Sequence, residues 1–235
     1  MTQDSDTSPT AAGAAFLAAV LASVGCAGHE PDSGASSSTP AGAEARILSA
    51  YHGLDELPAP VALICGTESI GEDGLPVVLS VQLDEDSVTP GSFAVETDAG
   101  EVVTPVCATL QPAVEPLELR TVLLAGPFGT SAAPPRAVEV VGPVLDVTGA
   151  SVEGLRTEDI TALEAGPSLV LGERFDPETH GLAGECPEGT LQVVQLTWEG
   201  GVSGPEGAAL AEAQRTAVSI TLDDGTVAPH RPGRR

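Results

Sequence analysis

From position 46 onward the chain is cut into short β-rich runs, each closed by Pro, Gly or Asp. The runs span 46–51, 77–83, 93–97, 102–106, 121–125 and 137–141, too short and too regularly broken for helices that pack a core. This pattern predicts an antiparallel β-sandwich rather than βαβ units. Asp98-Ala99-Gly100-Glu101 reads as a hairpin loop in which Gly100 supplies the positive φ. The run at 121–125 (Thr-Val-Leu-Leu-Ala) is almost continuously apolar, as expected of a central strand. The one helical pattern, at 206–215, is brief.

A second set of runs follows at 169–171, 191–198 and 217–222. Its last run leads into Asp223-Asp224-Gly225-Thr226-Val227, which matches the strand, acidic-Gly turn and returning Val of 95–102. Each half also places a Cys ahead of a Val-rich strand, Cys65 in the first and Cys186 in the second. The expectation is two tandem modules with the second incomplete; two unrelated β segments are the alternative. After the second hairpin only His-Arg-Pro-Gly-Arg-Arg remains, with three of the nine arginines. That ending is expected from a missing C-terminal portion or a frame change near Pro229, against a short basic tail that recruits a partner.

The N-terminus reads as an address. Residues 11–24 are uncharged and rich in Ala and Leu, shorter than the ~20 residues a spanning helix needs and suited to a signal-peptide apolar region. The run ends in Ser23-Val24-Gly25-Cys26, which resembles the lipobox of bacterial lipoproteins. That resemblance implies acylation of Cys26 as the new N-terminus; a conventional secretory signal and a buried apolar helix are the alternatives. Residues 27–44 lack large aliphatic and aromatic side chains, so a flexible tether is expected there.

The stretch Val77-Val78-Leu79-Ser80-Val81-Gln82-Leu83-Asp84, then Ser87-Val88, then Ser92-Phe93-Ala94-Val95, is similar to S-layer-type bacterial Ig-like domains. The resemblance implies an Ig-like sandwich in a surface or periplasmic protein and no catalytic residues. With Cys26 spent on lipid, Cys65 and Cys107 are the natural disulfide pair within one module, and an oxidising compartment suits them. Cys186 then lacks an evident partner.

Of 43 ionic side chains, 34 are acidic and nine are Arg, a formal net charge of −25. Nucleic acid and anionic lipid headgroups reward clustered cations, so nucleic acid is excluded as an expected partner. No nucleophile elbow, phosphate loop, dinucleotide fingerprint or zinc-ligand spacing is present. His52 could meet Asp55, and His180 could meet Glu178, but in so acidic a chain such proximity is expected by chance. Asp84, Glu85 and Asp86 are the weak candidates for Ca²⁺, since acidic turns gather hard oxygen ligands.

The expected organisation is a signal peptide at 1–26, a flexible linker at 27–44 and an Ig-like sandwich at 45–148. A linker at 149–165 and a second, truncated module at 166–235 complete it. The expected function is that of a non-enzymatic exported lipoprotein, lipid-anchored on the periplasmic or cell-surface side. Its role would be envelope-structural or adhesive, with envelope proteins or polysaccharide as partners and no cofactor. The alternatives are a calcium-dependent surface binding module and an accessory part of a larger exported enzyme.

Overall fold

A computed structural model of the chain describes residues 44–114, 117–178, 180, 188–190, 192–200 and 219–228, with the backbone of 23–27. The expected helix at 206–215, Cys186 and the arginine-rich ending lie outside the described residues. In chain order the strands are β1 (Ser23–Ala27), β2 (Ile47–His52), β3 (Asp73–Leu79), β4 (Phe93–Glu96), β5 (Val102–Val103), β6 (Cys107–Thr109) and β7 (Thr121–Gly126). There follow β8 (Ala137–Val140), β9 (Arg156–Thr157), β10 (Ile160–Ala162), β11 (Leu169–Phe175), β12 (Gln192–Trp198), β13 (Ile220–Thr221) and β14 (Val227–Ala228). Among the described residues, beside one four-residue helix, α1 (Ala62–Cys65), the regular structure is strand and short 3₁₀ turns, so the fold is all-β and sandwich-like.

A five-stranded sheet in the order β10-β2-β3-β7-β6 and a four-stranded sheet in the order β5-β4-β8-β9 share one core. Alternation along β4 turns Phe93 and Val95 inward, opposite Val140 and Val138 of β8. Ala50, Leu75, Val77, Leu79, Val122 and Leu124 come from the other sheet, and Phe93 and Phe128 are the largest fully buried side chains. The core is therefore mainly Val and Leu, each contributing about 1.5–3 kcal/mol on full burial. All of β3 and β7 is buried, because the outer face of the five-stranded sheet is covered too. Leu57, Val61, Cys65, Cys107 and Ala125 form a second apolar cluster, and the Cys65–Cys107 disulfide (Cα–Cα 5.4 Å) ties α1 to β6 within it.

Two expectations need correction. Residues 149–165 are not a linker: β9 pairs with β8 and β10 runs parallel to β2, so this stretch supplies an edge strand to each sheet. Arg156 on β9 reaches Glu96 of β4 (2.8 Å) and Glu139 of β8 (3.4 Å), while Val152 and Leu155 plug the core. Strands of two and three residues carry almost no periodicity, which hides them from sequence reading. The run expected at 77–83 starts instead at Asp73 and ends at Leu79. The obstacle was Pro76, which reads as a breaker yet occupies a central strand. Gly74 N donates to Leu54 O (2.7 Å), so Pro76, two residues on, aims its missing N–H at the same side. There the β2–β3 ladder has already ended, at Ala50–Val77.

The later strands echo the earlier ones. β11 pairs antiparallel with β12 as β2 does with β3, and each pair carries a bulge at the same place. In both, the first residue of one strand faces the last of the other (Ile47–Leu79, Leu169–Trp198), and the third faces the next-to-last (Ser49–Val78, Leu171–Thr197). The hairpins match as well. Thr97 N donates to Glu101 O (2.9 Å) and Gly100 N to Thr97 O (2.9 Å). Leu222 N donates to Thr226 O (2.8 Å) and Gly225 N to Leu222 O (2.9 Å), with Gly100 at φ +79° and Gly225 at +82°.

Candidate functional site

Of the expected metal ligands at the acidic turn, one is engaged locally and the other two face solvent. Asp84 Oδ1 accepts from Asp86 N (3.2 Å), Glu85 and Asp86 are exposed, and among the described residues none of the three joins a group of ligand-forming side chains. Asp146 is similar: its Oδ1 accepts from Thr148 Oγ1 (2.6 Å), Thr148 N (2.8 Å) and Ala150 N (2.9 Å). Burial pushes its carboxyl pKa up, but these bonds outweigh it and hold the group below the ordinary carboxylate range. A depressed acid stabilises above its unfolded pKa and loses that contribution as pH falls through the folded one. Melting curves of Asp146→Ala against the parent are therefore expected to differ at pH 7 and to converge in strong acid.

A different cluster is brought together at one end of the five-stranded sheet. β2 ends in His52 and is followed by Gly53, where a Cβ would collide with the Tyr51 ring. The chain runs on alongside β3, so that Leu54 bridges Gly74 and Asp55 comes beside the start of β3. Asp73 opens β3, and its Oδ2 accepts from Phe128 N (2.9 Å) and Gly129 N (3.0 Å). His52 is 3% exposed, its Nε2 lies 3.9 Å from Asp73 Oδ2, and neither ring nitrogen has a hydrogen-bond partner. One ligand atom from each of His52, Asp55 and Asp73 lies within 4.8 Å of the others. Burial raises the Asp73 carboxyl above its ordinary value, against the two amide donors and His52, which lower it.

The His52–Asp55 proximity set aside as chance is real, whereas Asp73 joins only through the β2–β3 pairing. His180 instead packs edge-on to Phe175 (centroids 5.0 Å apart), with Nδ1 2.9 Å from Asp176 O. Thr67-Glu68-Ser69-Ile70-Gly71 falls one glycine short of a nucleophile elbow, and its Ser69 is fully buried and donates to Gly66 O (2.7 Å), so it presents no exposed nucleophile.

A second polar cluster joins the β11–β12 hairpin to the sandwich. Glu199 is 5% exposed. Its Oε1 accepts from Ser49 Oγ (2.8 Å) and Thr161 Oγ1 (2.7 Å), and its Oε2 accepts from Ser168 N (2.8 Å). Nearby, Arg120 Nη2 pairs with Glu173 Oε2 at 2.8 Å, with both side chains largely buried. Burial pulls the guanidinium below its ordinary value, while Glu173 holds it up. Sequence reading missed both clusters, because their members are 31 to 150 residues apart and only the docked hairpin unites them. No protein-family model, curated protein or solved structure matches the chain.

Proposed function

We propose that the protein is an exported, lipid-anchored Ig-like sandwich of two tandem modules, non-enzymatic, with an envelope-structural or adhesion role. The observation that carries this reading is the Cys65–Cys107 disulfide, sealed in an apolar cluster of the sandwich. Such a bond belongs to an oxidising compartment, and the lipobox-like Ser23-Val24-Gly25-Cys26 supplies a route there. The matched bulges and hairpins support the tandem reading. The net charge of −25 favours solubility and self-repulsion on an exposed surface. Partners would be the membrane, through the acyl chain, and envelope proteins or polysaccharide.

The backbone of Ser23–Ala27 pairs with β12 in the uncut chain, so cleavage ahead of Cys26 would withdraw three of the five β1 residues. Growth of cells with a fatty-acid probe tests the anchor. Labelled protein that loses its label in Cys26→Ala is expected, and unlabelled protein refutes the anchor.

A further inference from the structure

We propose that His52, Asp55 and Asp73 form a binding site for a divalent transition metal of the zinc class. A 3.9 Å separation of His52 Nε2 and Asp73 Oδ2 is too long for a hydrogen bond. Bonds of about 2.0–2.2 Å at octahedral to tetrahedral angles place ligand atoms roughly 2.8–3.6 Å apart, so the pair needs to close by only a few tenths of an ångström to share one ion. The independent observation is His52 itself. A buried imidazole with no partner at either nitrogen is rare in folded proteins and calls for a ligand.

One imidazole and two carboxylates make a borderline N/O set, which zinc and its neighbours accept and Ca²⁺ avoids. The two backbone N–H groups on Asp73 Oδ2 fix the orientation of that carboxylate, as outer-shell donors do at metal sites. Asp55 is exposed, so the remaining coordination positions open on solvent.

The test is calorimetric titration of the chelator-stripped full chain with Zn²⁺. One ion per chain is expected, with affinity at least tenfold weaker in both His52→Gln and Asp55→Ala. Asp55→Ala changes an exposed side chain, so its fold is checked by an unshifted melting curve without metal. No zinc binding overturns the site, whatever Ca²⁺ does. Binding of unchanged affinity in Asp55→Ala overturns it equally.

A different observation carries a second inference. When β12 is superposed on β3 by the shared bulge, β1 falls where β7 lies: Cys26 faces Val193 as Ala125 faces Gly74. We infer that this edge of β12 is a strand acceptor, completed in the uncut chain by its own Ser23–Ala27 segment. Main-chain hydrogen bonds supply affinity in such strand addition. Removal of residues through Gly25 would open the edge to a strand in trans; that step alone rests on the lipoprotein reading.

Hydrogen exchange on the full chain tests it, comparing the parent with Val24→Pro and Gly25→Pro. Successive residues aim their N–H groups at opposite sides, so one of the two prolines removes a bond to β12. The β12 amides facing β1 are expected to lose protection at least tenfold in one variant, with β3 and β7 unchanged. A peptide of residues 21–29 carrying Cys26→Ser should restore it. Unchanged protection in both variants overturns the acceptor, as does a loss the peptide leaves unrestored. Neither result depends on acylation.

Discussion

Conversion of Cys65 and Cys107 together to Ala is expected to lower the unfolding free energy by about 4 kcal/mol, the chain-entropy value for a loop of this length. The bond spans 42 residues, from α1 to β6, and so encloses β3 and β4. Reduction frees that loop in the unfolded chain. It also leaves two small thiols in the apolar cluster that joins α1 to the sheet. Two to four degrees per kcal/mol is typical of chains near this size, so the melting midpoint should fall by roughly 8–16 °C. Urea melts of the double variant, and of the parent with and without reductant, provide the measurement. A loss below about 1 kcal/mol would mean that native strain or residual unfolded structure cancels the loop term.

Glu199→Ala is the second large effect expected. Three donors converge on this carboxylate from β2, from β10 and from the chain just before β11, so its removal strands buried Ser49 Oγ and takes the acceptor from half-buried Thr161 and exposed Ser168. A hydrogen bond to a charged group contributes about 1.5–3 kcal/mol, and with one buried partner stranded and two others free to meet water a total of about 3 kcal/mol is expected. Glu199→Gln keeps one acceptor oxygen and should lose less. A second readout separates lost charge from lost packing. Tyr51 has its phenol pKa raised first by burial, then by Glu199 and Glu164. Absorbance titration of Tyr51 should show that pKa falling in Glu199→Gln. Absence of a fall would place the Glu199 charge elsewhere.

The strands most legible in the sequence are those whose apolar side chains face a core on both sides or in strict alternation. The run at 121–125 became β7 plus one Gly, and Phe93 and Val95 alternate as their spacing suggests. The Asp98–Glu101 loop was legible because only Gly100 takes the positive φ easily. Hidden from the sequence were β9 and β10, edge strands of two and three residues that are too short to show a period and are fixed chiefly by pairing. Pro76 concealed the start of β3, since its tolerance depends on where the neighbouring ladder ends. The metal cluster was half legible. Proximity of His52 to Asp55 follows from three residues of chain, but the burial and unmet nitrogens of His52 exist only once β3 lies beside β2. The acidic turns drew attention because carboxylates are adjacent there, but adjacency builds no ligand set, and at Asp84 the carboxylate accepts from the backbone amide of Asp86.

Intact-mass analysis of the mature protein from its native cells bears most directly on the proposed function. The predicted species begins at Cys26, carries acyl chains on that residue, and has Cys65 and Cys107 joined. A chain that retains its first 25 residues, with Cys65 and Cys107 as free thiols, would contradict both the anchor and the exported location.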